Sequence, residues 1–102
     1  MQLHWLKLIT VVAEAVLKDK ICAEALDLGA TGYTCVDALG SGARGVRHDS
    51  IHGENVQIQF VCPPLVADKI LTHVSHTYFD HYAVIAWVTE VAVVRGRHYE
   101  QA

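Results

Sequence analysis

The sequence predicts an α+β domain with the element order β-α-β-β-α-β. Three observations carry that reading. Residues 54–62, ENVQIQFVC, alternate strictly, with Val56, Ile58 and Phe60 on one side and Gln57 and Gln59 on the other. That is the period of a half-buried strand. Residues 14–28 and 63–79 instead space their apolar residues three to four apart, as one face of a helix does. Strand-like runs precede, separate and follow these helices.

The first strand is expected over 3–13, LHWLKLITVVA, which is rich in Val, Ile, Leu and Trp. The first helix follows over 14–28, with Leu17, Ile21, Ala25 and Leu28 on its stripe and Lys18, Asp19, Glu24 and Asp27 off it. Gly29 is placed to stop it. The second strand is expected over 32–39, GYTCVDAL, and the third over 54–62. Pro63 and Pro64 end the third strand and suit the first turn of a second helix, whose stripe is Val66, Ile70, Val74 and Tyr78. Residues 83–94, AVIAWVTEVAVV, are apolar almost throughout, which predicts a buried central strand. The tail 95–102 is polar. Two helices on one face of an antiparallel sheet in this order make the ferredoxin-like arrangement.

The 102 residues form a single domain, 1–102. Apolar residues make up 52% and charged residues 19%. So few charges predict that the sheet face away from the helices is covered by another subunit. A net charge of −3 argues against a nucleic-acid partner. The apolar start is broken by Lys7 and Glu14, and no run is long enough to cross a membrane, so a cytoplasmic protein is expected. The thiols of Cys22, Cys35 and Cys62 show neither metal-ligand nor redox spacing and are expected to be buried and free. His73 and His76, three apart on the second helix, and His48 and His52 in the loop lack a completing ligand set, so surface histidines and no metal are expected. Trp5 and Trp87 are expected in the core or a subunit interface.

The fold alone leaves function open. An RNA reader would need aromatic and basic residues on the third strand, which offers only Phe60. A metal carrier would need CxxC in the first loop, and an acylphosphatase a glycine- and arginine-bearing turn after the first strand. The glycines and arginines instead gather in 40–53, GSGARGVRHDSIHG, between the second and third strands. Gly40, Ser41 and Gly42 can present backbone N–H groups to an anion, and Arg44 and Arg47 supply forked cations that match phosphate or carboxylate geometry. The distal part of the loop, with few apolar anchors, suits a reporter that orders on binding. No placed nucleophile or general base is apparent, so no catalytic residue is assigned.

Gly32, Thr34, Val36, Gly40 and Gly42, followed by arginine, in GATGYTCVDALGSGARGVR (29–47) resemble the second strand and loop base of PII-type signalling proteins. VQIQFVCPPLVADKIL (56–71) resembles that family's third strand and second helix. The run at 40–47 resembles most the PII-like branch linked to inorganic carbon, the bicarbonate-transporter-associated and carboxysome-associated proteins. The resemblance implies a homotrimer with adenine nucleotides in the clefts between subunits, bicarbonate as a second ligand, and a T-loop over about 40–54 that reports to a target such as a bicarbonate transporter or carboxysome component. It implies a sensor rather than an enzyme, with effectors in place of a tightly bound cofactor. By position, Thr34 would bond the adenine and the backbone of Val61 and Cys62 would line it. Gly40, Ser41 and Gly42 would approach the phosphates, with Arg44 and Arg47 pairing with phosphate or bicarbonate. Arg95 and Arg97 would enter from a neighbouring subunit. After the second helix, FDHYAVIAW lacks the glycines and lysine with which PII proper grips distal phosphates, which favours ADP, AMP or cyclic AMP over ATP. The loop has no tyrosine for uridylylation, and the C-terminal cysteine pair of some members is missing. The alternatives are a small phosphate-ester or acyl-phosphate hydrolase, and a structural or metal-tolerance trimer of the same fold.

Overall fold

A computed structural model describes residues 1–39, 41–42, 45–46 and 55–95, with only the backbone described at 41–42 and 45–46. The main sheet has four antiparallel strands: β1 (His4–Glu14), β2 (Thr34–Ala38), β5 (Asn55–Cys62) and β6 (Ile85–Val93). Their spatial order is β2-β5-β1-β6. A two-residue ribbon, β3 (Ser41–Gly42) against β4 (Gly45–Val46), lies within the predicted loop. The helices are α1 (Lys18–Asp27) and α2 (Pro64–Tyr78). This is the α+β, ferredoxin-like fold that the sequence predicts.

The core lies between the helices and one face of the sheet. Ile9, Val11 and Ala13 of β1 are fully buried beside Ile58 and Phe60 of β5, in the pairs Ile9–Phe60 and Val11–Ile58. The helical stripes close over them with Leu17, Ile21 and Ala25 on one side and Val66, Ile70, Val74 and Tyr78 on the other. Each Val, Ile, Leu or Phe among them contributes about 1.5–3 kcal/mol on leaving water. All four residues of the predicted α2 stripe are therefore buried, and Ala67 joins them.

Glu14 closes β1 instead of opening a helix, and Ala15–Leu17 form a single 3₁₀ turn before α1. At the other end of α1 the chain reverses at Gly29, whose φ of 119° disfavours any side chain. The Gly29 N–H bonds the Leu26 carbonyl and the Ala30 N–H reaches back to Ala25, both at 3.1 Å. This Schellman arrangement satisfies carbonyls that a helix end leaves open.

One element departs from expectation. The apolar run at 83–94 predicts a central strand, but β6 is an edge, with β1 as its neighbour among the described residues. Trp87, Ile85 and Val88 are exposed in the single chain. Trp5 is 70% exposed, so neither tryptophan lies in the chain's own core. On the face away from the helices, the register aligns Val12 with Ile85 and Leu8 with Thr89 and Val61, and places Val36 across from Gln57. That face is apolar over much of its width and carries no element of this chain among the described residues.

The helices are tied by a polar clasp. The Tyr78 hydroxyl donates to Glu24 Oε1 at 2.5 Å, and His73 Nε2 donates to the same oxygen at 2.9 Å. Thr77 Oγ1 lies 3.4 Å from His73 Nδ1, which orients the ring. Burial would push the Glu24 carboxyl up, but the bonds from Tyr78 and His73 outweigh it and hold it below its ordinary value. Burial and the adjacent carboxylate push the Tyr78 phenol up.

Candidate functional site

The predicted site residues fall into separate places along the sheet. Thr34 opens β2 and is exposed, opposite Gln59 of β5. Directly opposed residues share a face, so Thr34 lies on the side away from the helices, as does Val61 two positions along from Gln59. Cys62 points the other way and is 1% exposed, so only its backbone can meet a ligand. Beside it, Lys7 pairs with Cys62 on one flank and Glu90 on the other, and its Nζ lies 3.3 Å from Glu90 Oε2. Sequence reading passed over this half-buried cation, because a lysine inside an apolar strand gives no sign of which row it joins.

Around Thr34 the surface is lightly packed. A Cβ built on Gly32 would meet nothing within 4 Å, so the chain's own packing does not demand glycine there. Tyr33 is half exposed and meets Phe60 edge-on, with ring centroids 6.3 Å apart. Thr31 Oγ1 is buried without a hydrogen-bond partner among the described residues. Leaving such a group unsatisfied costs about 1–3 kcal/mol.

The loop base lies elsewhere. Ala38, at the end of β2, pairs with Asn55, four residues along the sheet from Thr34. At strand rise this is about 13 Å, and Val61 lies about 20 Å from the same end. The ribbon pairs Ser41 with Val46 and Gly42 with Gly45 beyond that end. Gly40, Arg44, Arg47 and Arg97 lie outside the described residues. Arg95 is exposed just past the end of β6. Thr34 shares its row with Thr10 and Trp87, so Arg95 lies three strands away and beyond Val93. That is about 14 Å across and more than about 20 Å along the sheet. One chain therefore cannot bring Arg95 to its own Thr34 or to its own loop base.

Comparison with known proteins agrees with this architecture. The family model described as nitrogen regulatory protein P-II matches residues 6–98. A protein from Thermus thermophilus described as PII-like is 44% identical to this chain, covering 97% of it and 99% of that structure, with a TM-score of 0.86. CPII from Thiomonas intermedia K12 bound to ADP, AMP and acetate superposes with a TM-score of 0.85 at 21% identity, covering 99% of this chain and all of that one. CPII bound to ADP and bicarbonate gives 0.82 at 22% identity, covering 97% and 98%. A sequence search of curated proteins finds no match. The chain belongs to the P-II family of regulatory proteins. No helix among the described residues is long and apolar enough to cross a membrane.

Proposed function

We propose that the chain is a cytoplasmic, PII-like sensor of adenine nucleotides, ADP or AMP first among them, that assembles as a homotrimer and takes bicarbonate as a second ligand. It signals through the loop at about 40–54 to a target in inorganic carbon metabolism, such as a bicarbonate transporter or carboxysome component. It acts by binding, not by catalysis. The observation that carries this reading is the separation of Thr34, the loop base and Arg95 along one sheet. The residues suited to a base, a phosphate and a neighbouring cation can converge only if copies of the chain meet. The apolar sheet face supports such a meeting, and so does the open space at Gly32. CPII supports the choice of ligands, since its structures hold ADP, AMP and bicarbonate.

Within the assembly, Thr34 bonds the adenine of a nucleotide shared with a neighbour, and the Val61–Cys62 backbone lines the base. Gly40, Ser41 and Gly42 approach the phosphates. Arg44 and Arg47 pair with phosphate or bicarbonate, and Arg95 and Arg97 come from the adjacent copy. Native mass spectrometry of the purified protein, titrated with ADP, AMP, ATP and cyclic AMP with and without bicarbonate, tests this reading. Three bound nucleotides per trimer are expected. A monomer, or a trimer that takes up none of the four, overturns it. Phosphate release from the nucleotides would point to a hydrolase instead.

A further inference from the structure

Cys22 and Cys35 are thirteen positions apart in the chain. The fold nevertheless gathers them, since Cys35 packs against the core cluster in which Cys22 is buried, and the two thiols bear on each other. Their accessibilities differ. Cys22 is 2% exposed inside the core, whereas Cys35 is half-buried and packs against the core from its edge. Cys35 also lines a pocket of about 310 Å³ that opens to solvent, with Lys18 and Asp37 on the same wall. Cys62 stands apart from both. It is 1% exposed, and it lies four residues along β5 from Ile58, the partner of Cys35. That offset is about 13 Å, too far to bridge.

We propose that Cys22 and Cys35 form an oxidation site, closed by hydrogen peroxide into a reversible disulfide between α1 and β2. Cys35, as thiolate, attacks one peroxide oxygen, and the O–O bond breaks. Cys35 becomes a sulfenic acid and the other oxygen leaves as water. The Cys22 sulfur then attacks the Cys35 sulfur, forming the S–S bond and expelling the sulfenic oxygen as a second water. The two thiol protons end in the two waters, and the sulfurs lose the two electrons that the peroxide gains. The order follows from access, because only the Cys35 side of the pair meets solvent and a peroxide can enter its pocket. Cys22 is held as a thiol, pushed up to about 12 first by burial and then by Cys35 itself, so it reacts second.

Both cysteines fall in one tryptic peptide, residues 21–44. The test treats the full-length protein with hydrogen peroxide, then denatures it, blocks free thiols with iodoacetamide and digests it. The peptide is expected to lose two hydrogens and take up no label, and dithiothreitol should restore both labelling sites. The Cys62 peptide should stay fully labelled. Cys22→Ala should divert Cys35 to a sulfenic acid that dimedone traps. The proposal is overturned if Cys22 stays labelled while Cys35 is oxidised further or linked to a second chain, or if Cys62 oxidises as fast as the pair. The wild-type result stands even if the variant folds poorly.

Discussion

The two faces of the sheet carry similar side chains to different ends. Toward the helices, Ile9, Val11, Ile58 and Phe60 are wholly enclosed by the chain itself. On the other face Val36, Ile85 and Trp87 are equally apolar and stand between 45% and 57% exposed. The first face fixes the fold of one chain, and the second is left open by the described residues. An apolar residue in this protein therefore has two possible duties, and its exposure in the single chain separates them.

The sharpest way to break that comparison is a pair of truncations. Ile70→Ala should cost about 2–5 kcal/mol in denaturant unfolding, since α2 cannot collapse into the space it leaves. Trp87→Thr should leave unfolding of the isolated chain nearly unchanged while dissociating the assembly in sedimentation. Equal losses of chain stability would erase the distinction between the faces.

Next in size is the loop. Arg44→Ala and Arg47→Ala should each weaken a phosphate-bearing ligand by about 1.5–3 kcal/mol, with the melting temperature of the unliganded protein unchanged. Calorimetry with ADP measures this directly, and unchanged affinity would remove the arginines from the site.

The helix clasp should matter somewhat less. Glu24→Gln should cost about 1–2 kcal/mol at neutral pH by weakening the bonds from Tyr78 and His73. The Glu24 carboxyl titrates lower folded than unfolded. Its contribution is thus complete above the unfolded value of about 4.3 and fades as pH falls through the lower folded one. Urea unfolding should show the gap between wild type and variant narrowing in acid. A gap that widens there would mean the carboxyl is not held low. The smallest effect expected is that of Thr34→Ala, about 0.5–1.5 kcal/mol in nucleotide affinity.

Most of the fold is legible in the sequence wherever a single chain decides burial. The alternation Val56-Ile58-Phe60 and the α2 stripe were bound to read true, because both are closed by the chain's own helices and strands. The run at 83–94 misleads for the converse reason. A strand apolar on both sides is normally central, but β6 is apolar at an edge, where the fold of one chain leaves it uncovered. The proposed site stands in the sequence as a pattern of glycines, threonine and arginines, but its division along the sheet does not, since spacing in sequence says nothing of strand order. The Cys22–Cys35 meeting is invisible for the same reason: the reversal at Gly29, and not any motif, brings the two together.

That reversal also fastens the chain just beyond the helix. The amides of Gly29 and Ala30 are pinned to carbonyls of the last turn of α1, so they exchange with solvent only when that turn opens. The joint between α1 and β2 is therefore pinned through Ala30, and Thr31–Tyr33 carry the chain from there into β2.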